Sequence, residues 1–219
     1  MMKKERKKKE TVIVFSAHSD DFVIGAGGTI AEYAQQGKKV IAIIMSYGER
    51  SHPWLKGSVV QKMRSAETFE AGKVLRCKSL FFNLREGKFI QDYEQKNVKQ
   101  KIEKLVGKEK PSKIFTHSEE DPHPDHKATH RITLELYEQM PEKPEVYVYS
   151  VWNPVSFKTR YPSLYTDISK TLSTKLKALR KFKSQKIHVA YPLVLLLYRA
   201  FKDGLKIRKW FGEHFFRIK

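Results

Sequence analysis

A single cysteine, Cys77, is all the thiol this sequence offers. That excludes an intramolecular disulfide and any multi-cysteine zinc site, and it points to a reducing compartment such as the cytoplasm. Long apolar runs are also missing. The longest, Val189 to Tyr198, is interrupted by Pro192 and falls short of the ~18 residues that span a bilayer. The charged first residues are followed by no apolar h-region, so no signal peptide is expected. Acidic residues are scarce at the two ends. Residues 1–10 carry six Lys/Arg against two acids, and residues 170–219 carry fourteen against two. The stretch between, 11–169, holds 23 basic and 20 acidic residues, so the net charge of +19 belongs mainly to the ends.

What is present suits an ordinary soluble domain. With 40% hydrophobic and 31% charged residues, 219 residues are enough to bury one real core. Apolar, β-branched runs at 11–17, 39–46, 79–84, 113–117 and 145–151 read as strands. Helical spacing reads at 26–37, 58–76, 95–108 and 127–139. Alternation of this kind predicts right-handed βαβ units, and hence a Rossmann-like α/β sandwich: a mostly parallel sheet flanked by helices. Beyond residue 165 the pattern changes. "YTDIS" reads as a short strand, 170–185 as a basic helix with Leu172, Leu176 and Leu179 on one face, and 193–211 as a last helix. The expectation is a basic leader, 1–10, and one domain, 11–219, with a basic helical C-terminal part at 170–219.

Two stretches carry chemistry. "FSAHSDDF" follows the first strand, and "FTHSEEDPHPDH" follows the fourth. In open α/β sheets ligands bind beyond the carboxyl ends of the strands. Both stretches should therefore gather His18, Asp20, Asp21, His117, Asp121, His123, Asp125 and His126 at one rim. Imidazoles and carboxylates without thiolate suit zinc or another divalent first-row ion. Three such ligands leaving a fourth position to water make a catalytic site.

The pair "AHSDD" and "HPDH" resembles the LmbE/PIG-L family of zinc-dependent N-deacetylases. "MRSAETFEAGKVL" is similar to that family's R-x-x-E helix, and "DISKTLSTKLKALRKFKSQ" to its Asp-Ile-Ser and Lys…Ser-Gln segment. The resemblance implies that His18, Asp21 and His126 ligate the metal and that Asp20 is the general base. It further implies that His123, oriented and charged by Asp125, meets the oxyanion or the leaving amine, and that Arg64 binds substrate. The implied substrate is an N-acetyl sugar or glycoconjugate. Two positions depart from the family pattern: Ser19 replaces a proline and Phe22 a glutamate. Neither is among the three ligands.

Other signals are weaker. "GAGGTI" at 25–30 lacks the spacing of a dinucleotide fingerprint, and its glycines read instead as a close approach of helix to sheet. Glu49, Arg50 and His52, or Trp152 and Asn153, read equally well as pocket lining or as surface and core. The apolar run at 193–197 beside Arg199, Lys202, Lys206, Arg208 and Lys209 offers peripheral contact with an anionic membrane, at the inner face of a cytoplasmic protein. Packing of Leu193 to Leu197 onto the body is the commoner outcome for so short a run. The rival to an enzyme is a degenerate relative that binds anionic membrane or nucleic acid through its basic ends. Nucleic acid is the less expected partner, and a homo-oligomer stays open.

Overall fold

The structure, a computed structural model, describes residues 9–95, 97–153, 156, 160–185 and 193–219. Strand β1 (Thr11–Ser16) is buried throughout, and its side chains alternate between two cores. Val12 and Val14 enter one core, Ile13 and Phe15 the other. A strand apolar on both faces must be covered on both. On the first face lie α1 (Asp21–Gln35), α2 (Gly57–Leu75), α6 (Leu172–Leu179) and α7 (Leu193–Lys206), which contribute Ile30, Ala71, Leu179 and Leu196. On the second lie α3 (Phe89–Gln95), α4 (Val98–Glu109) and α5 (Pro124–Gln139), with Phe89, Ile102 and Ile132 facing inward.

Parallel strands β2 (Lys39–Ile44), β3 (Lys78–Phe81), β4 (Lys113–His117) and β5 (Glu145–Tyr149) extend the sheet from β1. With β6 (Ser163–Asp167) and β7 (Gly212–Arg217) the order is β3-β2-β1-β4-β5-β7-β6, seven strands in one sheet. The chain runs from β1 outward to β3, then returns to place β4 on the other side of β1. That reversal is the topological switch point, where the loops after β1 and β4 diverge and leave a crevice.

The expected α/β sandwich is therefore present, with several differences in its elements; the helix expected at 170–185 spans only Leu172–Leu179. Helix α1 starts at Asp21, five residues before the expected 26, because tertiary packing overrides the poor helix propensity of the Gly25–Gly28 region. Helix α3 was not read at all, being only seven residues long. The final helix stops at Lys206, and the C-terminus, expected to be helical, ends in β7. In that strand Glu213 and Phe215 alternate inward between β5 and β6, a period-2 signal too short to outweigh the helical run before it.

Candidate metal centre

The turn from β1 into α1 is knitted by Ser16. Its hydroxyl donates to the His18 carbonyl (2.6 Å) and accepts the Phe22 N–H (3.1 Å). This fixes His18 to Asp21 beyond the strand end while Phe22 points into the core, fully buried. Within the turn, the His18 N–H donates to Asp21 Oδ2 at 2.8 Å. The second loop leaves β4 at His117 and enters α5 through His123, whose Nδ1 accepts the Asp125 N–H as a helix cap (3.2 Å).

The two loops meet at Asp21 Oδ2. His18 Nδ1 lies 3.3 Å from it and His126 Nε2 3.4 Å. Each histidine's other ring nitrogen faces a second carboxylate. His18 Nε2 is 3.3 Å from Asp125 Oδ2, with Glu86 Oε1 at 3.6 Å, and His126 Nδ1 is 2.9 Å from Asp121 Oδ1. Those carboxylates are themselves held. Asp125 accepts the Gly87 N–H, and Asp121 accepts the N–H groups of His123 and Trp152.

This arrangement fits a metal. Donor atoms about 2.0–2.2 Å from a tetrahedral ion stand about 3.3–3.6 Å apart, and the spacings around Asp21 match. His126 Nε2 is buried and has no hydrogen-bond partner, although it points at a carboxylate. A carboxylate behind each ligating imidazole is the usual support of such a centre. Among the described residues, three overlapping groups could hold an ion: His18–Asp21–His126, His18–His123–Asp125 and His117–Asp121–His126. His117 Nε2 already accepts the Ala17 N–H at 3.0 Å and approaches the Tyr149 hydroxyl at 3.1 Å, which leaves only its buried, unpartnered Nδ1 for an ion. The His18–Asp21–His126 group alone leaves every outer carboxylate in a supporting place.

Electrostatics follow the same division. Burial opposes charge at Asp21, but His126, His117 and His18 hold its carboxyl well below the usual range. Burial also opposes charge on His18 and His126, yet their carboxylate partners raise them to about 10 and about 9. Burial and the neighbouring His126 take His117 down to about 4. Asp20 is raised by burial and by Asp21, against the pull of Arg64. His123 is lowered by burial and by the charges of His18 and His126. With Nδ1 occupied by the cap, the neutral form of the ring carries its proton on Nε2.

Two expected roles look different in place. Arg64, expected against the substrate, is turned inward and 3% exposed. Its guanidinium donates to Ser19 Oγ (2.8 Å) and the Gly48 carbonyl (2.9 Å) and reaches Asp20 Oδ1 (3.5 Å). Gly48, in the left-handed region at φ 74°, makes room for it, since a Cβ there would lie 2.0 Å from Arg64 Nη1. The Asp125 carboxylate, expected on His123, hydrogen bonds His18 instead. Glu86 and Gly87, from the loop after β3, carry no motif and were not read from the sequence. Asp121 and His117 belong to the second stretch but had no assigned role.

Residues 13–137 match the family model described as PIG-L, GlcNAc-PI de-N-acetylase. The chain is 28% identical to a Pseudomonas putida protein called 4-oxalmesaconate hydratase, over 81% of this chain and 74% of that one. It is 27% identical to a probable N-acetyl-alpha-D-glucosaminyl L-malate deacetylase 2 of Bacillus cereus, over 80% and 83% respectively. Among solved structures, the N,N'-diacetylchitobiose deacetylase of Pyrococcus horikoshii superposes with a TM-score of 0.80 at 25% identity, covering 97% of this chain and 85% of the other.

Proposed function

This chain belongs to the PIG-L family, and from that premise we propose that it is a metal-dependent hydrolase removing an acetyl group from an N-acetylated amino sugar or a related small molecule. The observation that carries the reading is the closure of His18, Asp21 and His126 around one carboxylate oxygen, with Asp20 beside them. In this reading those three hold zinc or another divalent first-row ion. When bound, such an ion lowers the pKa of a coordinated water to about 7 and polarises an amide carbonyl.

The chain's own residues do the rest. Asp20, raised by burial, accepts a proton from the attacking water at its carboxylate and later delivers it to the departing amine. Arg64 positions that carboxylate and the Ser19 turn, rather than gripping substrate. His123, neutral with its proton on Nε2, donates that hydrogen to the developing oxyanion. Asp125 and Asp121 orient His18 and His126. Phe22 leaves all of these contacts intact, because its side chain lies in the core.

The test is metal analysis of the purified protein with an acetate-release assay on N,N'-diacetylchitobiose and simple N-acetylglucosamine glycosides. One ion per chain and acetate release are expected, and His18→Ala, Asp21→Ala and His126→Ala should each lower bound metal. Full zinc occupancy in all three folded variants would overturn the ligand assignment. A second reading rests on the Pseudomonas relative called a hydratase. Addition of water to a conjugated alkene needs the same base but frees no amine. Loss of ultraviolet absorbance from an unsaturated tricarboxylate such as 4-carboxy-2-hydroxymuconate, without acetate release from any amide, would favour it.

A further inference from the structure

Helix α7 has two apolar faces, and among the described residues only one of them is covered. Leu196, Ala200 and Gly204, four residues apart, are buried against the sheet. Val194, Tyr198, Phe201 and Leu205 recur at spacings of four, three and four, so they form a second stripe on another side of the helix. That stripe faces outward: Val194 is 79% exposed, Tyr198 60%, Phe201 41% and Leu205 57%. Trp210, in the turn just past the helix, is 73% exposed. Lys202 and Lys206 stand beside the stripe with exposed side chains, and Arg208 and Lys209 follow in the turn. Asp203 is the one acid between residues 193 and 211.

From this geometry we propose that α7 and the turn to Trp210 dock the protein on an anionic lipid bilayer, the apolar stripe entering the headgroup boundary and the lysines meeting lipid charge. The occupant follows from two properties at once. A continuous apolar stripe with a tryptophan at its end needs an apolar phase, which a nucleic-acid backbone does not provide. A second copy of the chain could supply apolar surface. A two-fold interface centred on the stripe, however, would bring two copies of this strongly basic segment together, with Asp203 the one acid each carries between residues 193 and 211. An anionic bilayer satisfies both. The helix lies on the membrane rather than across it, for no described helix is long and apolar enough to span one. The docked face is tied to the site's rim, because Arg199 of α7 donates to the Val151 and Asn153 carbonyls (3.2 and 2.7 Å) in the loop whose Trp152 N–H holds Asp121. Docking stands independently of the deacetylase reading.

The full chain is sedimented with vesicles of phosphatidylcholine alone or mixed equally with phosphatidylglycerol, at low and high salt. Two combined variants accompany it: Val194→Ser with Tyr198→Ser, Phe201→Ser and Leu205→Ser, and Lys202→Gln with Lys206→Gln, Arg208→Gln and Lys209→Gln. All eight side chains are exposed, and thermal melting together with bound metal establishes that the variants fold. Binding to the anionic vesicles alone is expected, weakened by salt; at ~1 kcal/mol per cation the glutamine variant should lower partitioning about a thousandfold at low salt, and the serine variant should lower it as well. Failure of the wild type to bind, equal binding to both vesicle types, or unaltered binding by the serine variant would each overturn the proposal. So would a wild-type dimer, in sedimentation equilibrium, that the serine variant abolishes.

Discussion

Asp20 and Asp21 are adjacent in sequence, yet their surroundings divide them. Asp21 sits among three imidazoles that keep it ionised, while Asp20 faces one guanidinium at 3.5 Å and is raised by burial. In the proposed mechanism Asp21 holds the ion and Asp20 exchanges the proton. Asp20→Asn keeps the size of the side chain and its contact with Arg64 but cannot take the proton. Metal content should therefore stay at the wild-type level while turnover of an N-acetyl substrate falls about 10²–10⁴-fold. Near-normal turnover by a metal-loaded Asp20→Asn protein would remove it from that role.

Helix α1 has to be held still for its first residue, Asp21, to stay in register. Two buried groups do this from other elements. Glu213 of β7 accepts the N–H groups of Gly28 and Thr29 (3.0 and 2.7 Å), in the middle of α1. Lys175 of α6 donates to the Ile24 carbonyl (2.7 Å) and pairs with Glu213 at 2.6 Å. At the helix start, Gly25 lets the Tyr149 ring pass, where a Cβ would lie 2.2 Å from it. Glu67 of α2 accepts both the N–H and the hydroxyl of Ser184, which ties the segment after α6 to α2. Lys175→Met leaves Glu213 charged and buried without its partner. That should destabilise the fold by about 3–5 kcal/mol in denaturant melts, while the double change with Glu213→Gln recovers part of the loss. A melt unchanged by Lys175→Met would show that the pair does not hold α1.

For the molecule as a whole, His18 and His126 tie stability to pH. His18 and His126 are raised to about 10 and about 9, mainly by Asp125 and Asp21 in competition with burial. Both therefore bind protons more tightly folded than unfolded. Without metal, their contribution to stability is full below about pH 6.5 and is lost as pH rises through about 9 to 10. Bound metal requires both rings neutral, which removes this dependence. The chelator-treated protein should thus lose on the order of ten degrees of melting temperature between about pH 7 and pH 10. The zinc-loaded protein should lose much less. Parallel losses in the two forms would show that these histidines do not carry the effect.

Much of this was legible in the chain itself. The apolar run at 12–15 forces a strand covered on both faces, and the strand–helix alternation forces a parallel sheet with both motif loops at one edge. Short-range pattern is enough for that, because burial on both faces and βαβ handedness are local rules. Residues 212–217 were not legible, since a six-residue strand gains its meaning only from β5 and β6 on either side. The same limit applied at the site. Sequence could bring His18, Asp21 and His126 to one rim, but adjacency of β1 and β4 at the switch point decided that they converge. It also could not show that Arg64 turns inward to Asp20, that Asp125 backs His18, or that Glu86 approaches from a third loop. Those pairings join residues tens of positions apart, and which partner a buried charge finds is settled only when the layers close around it.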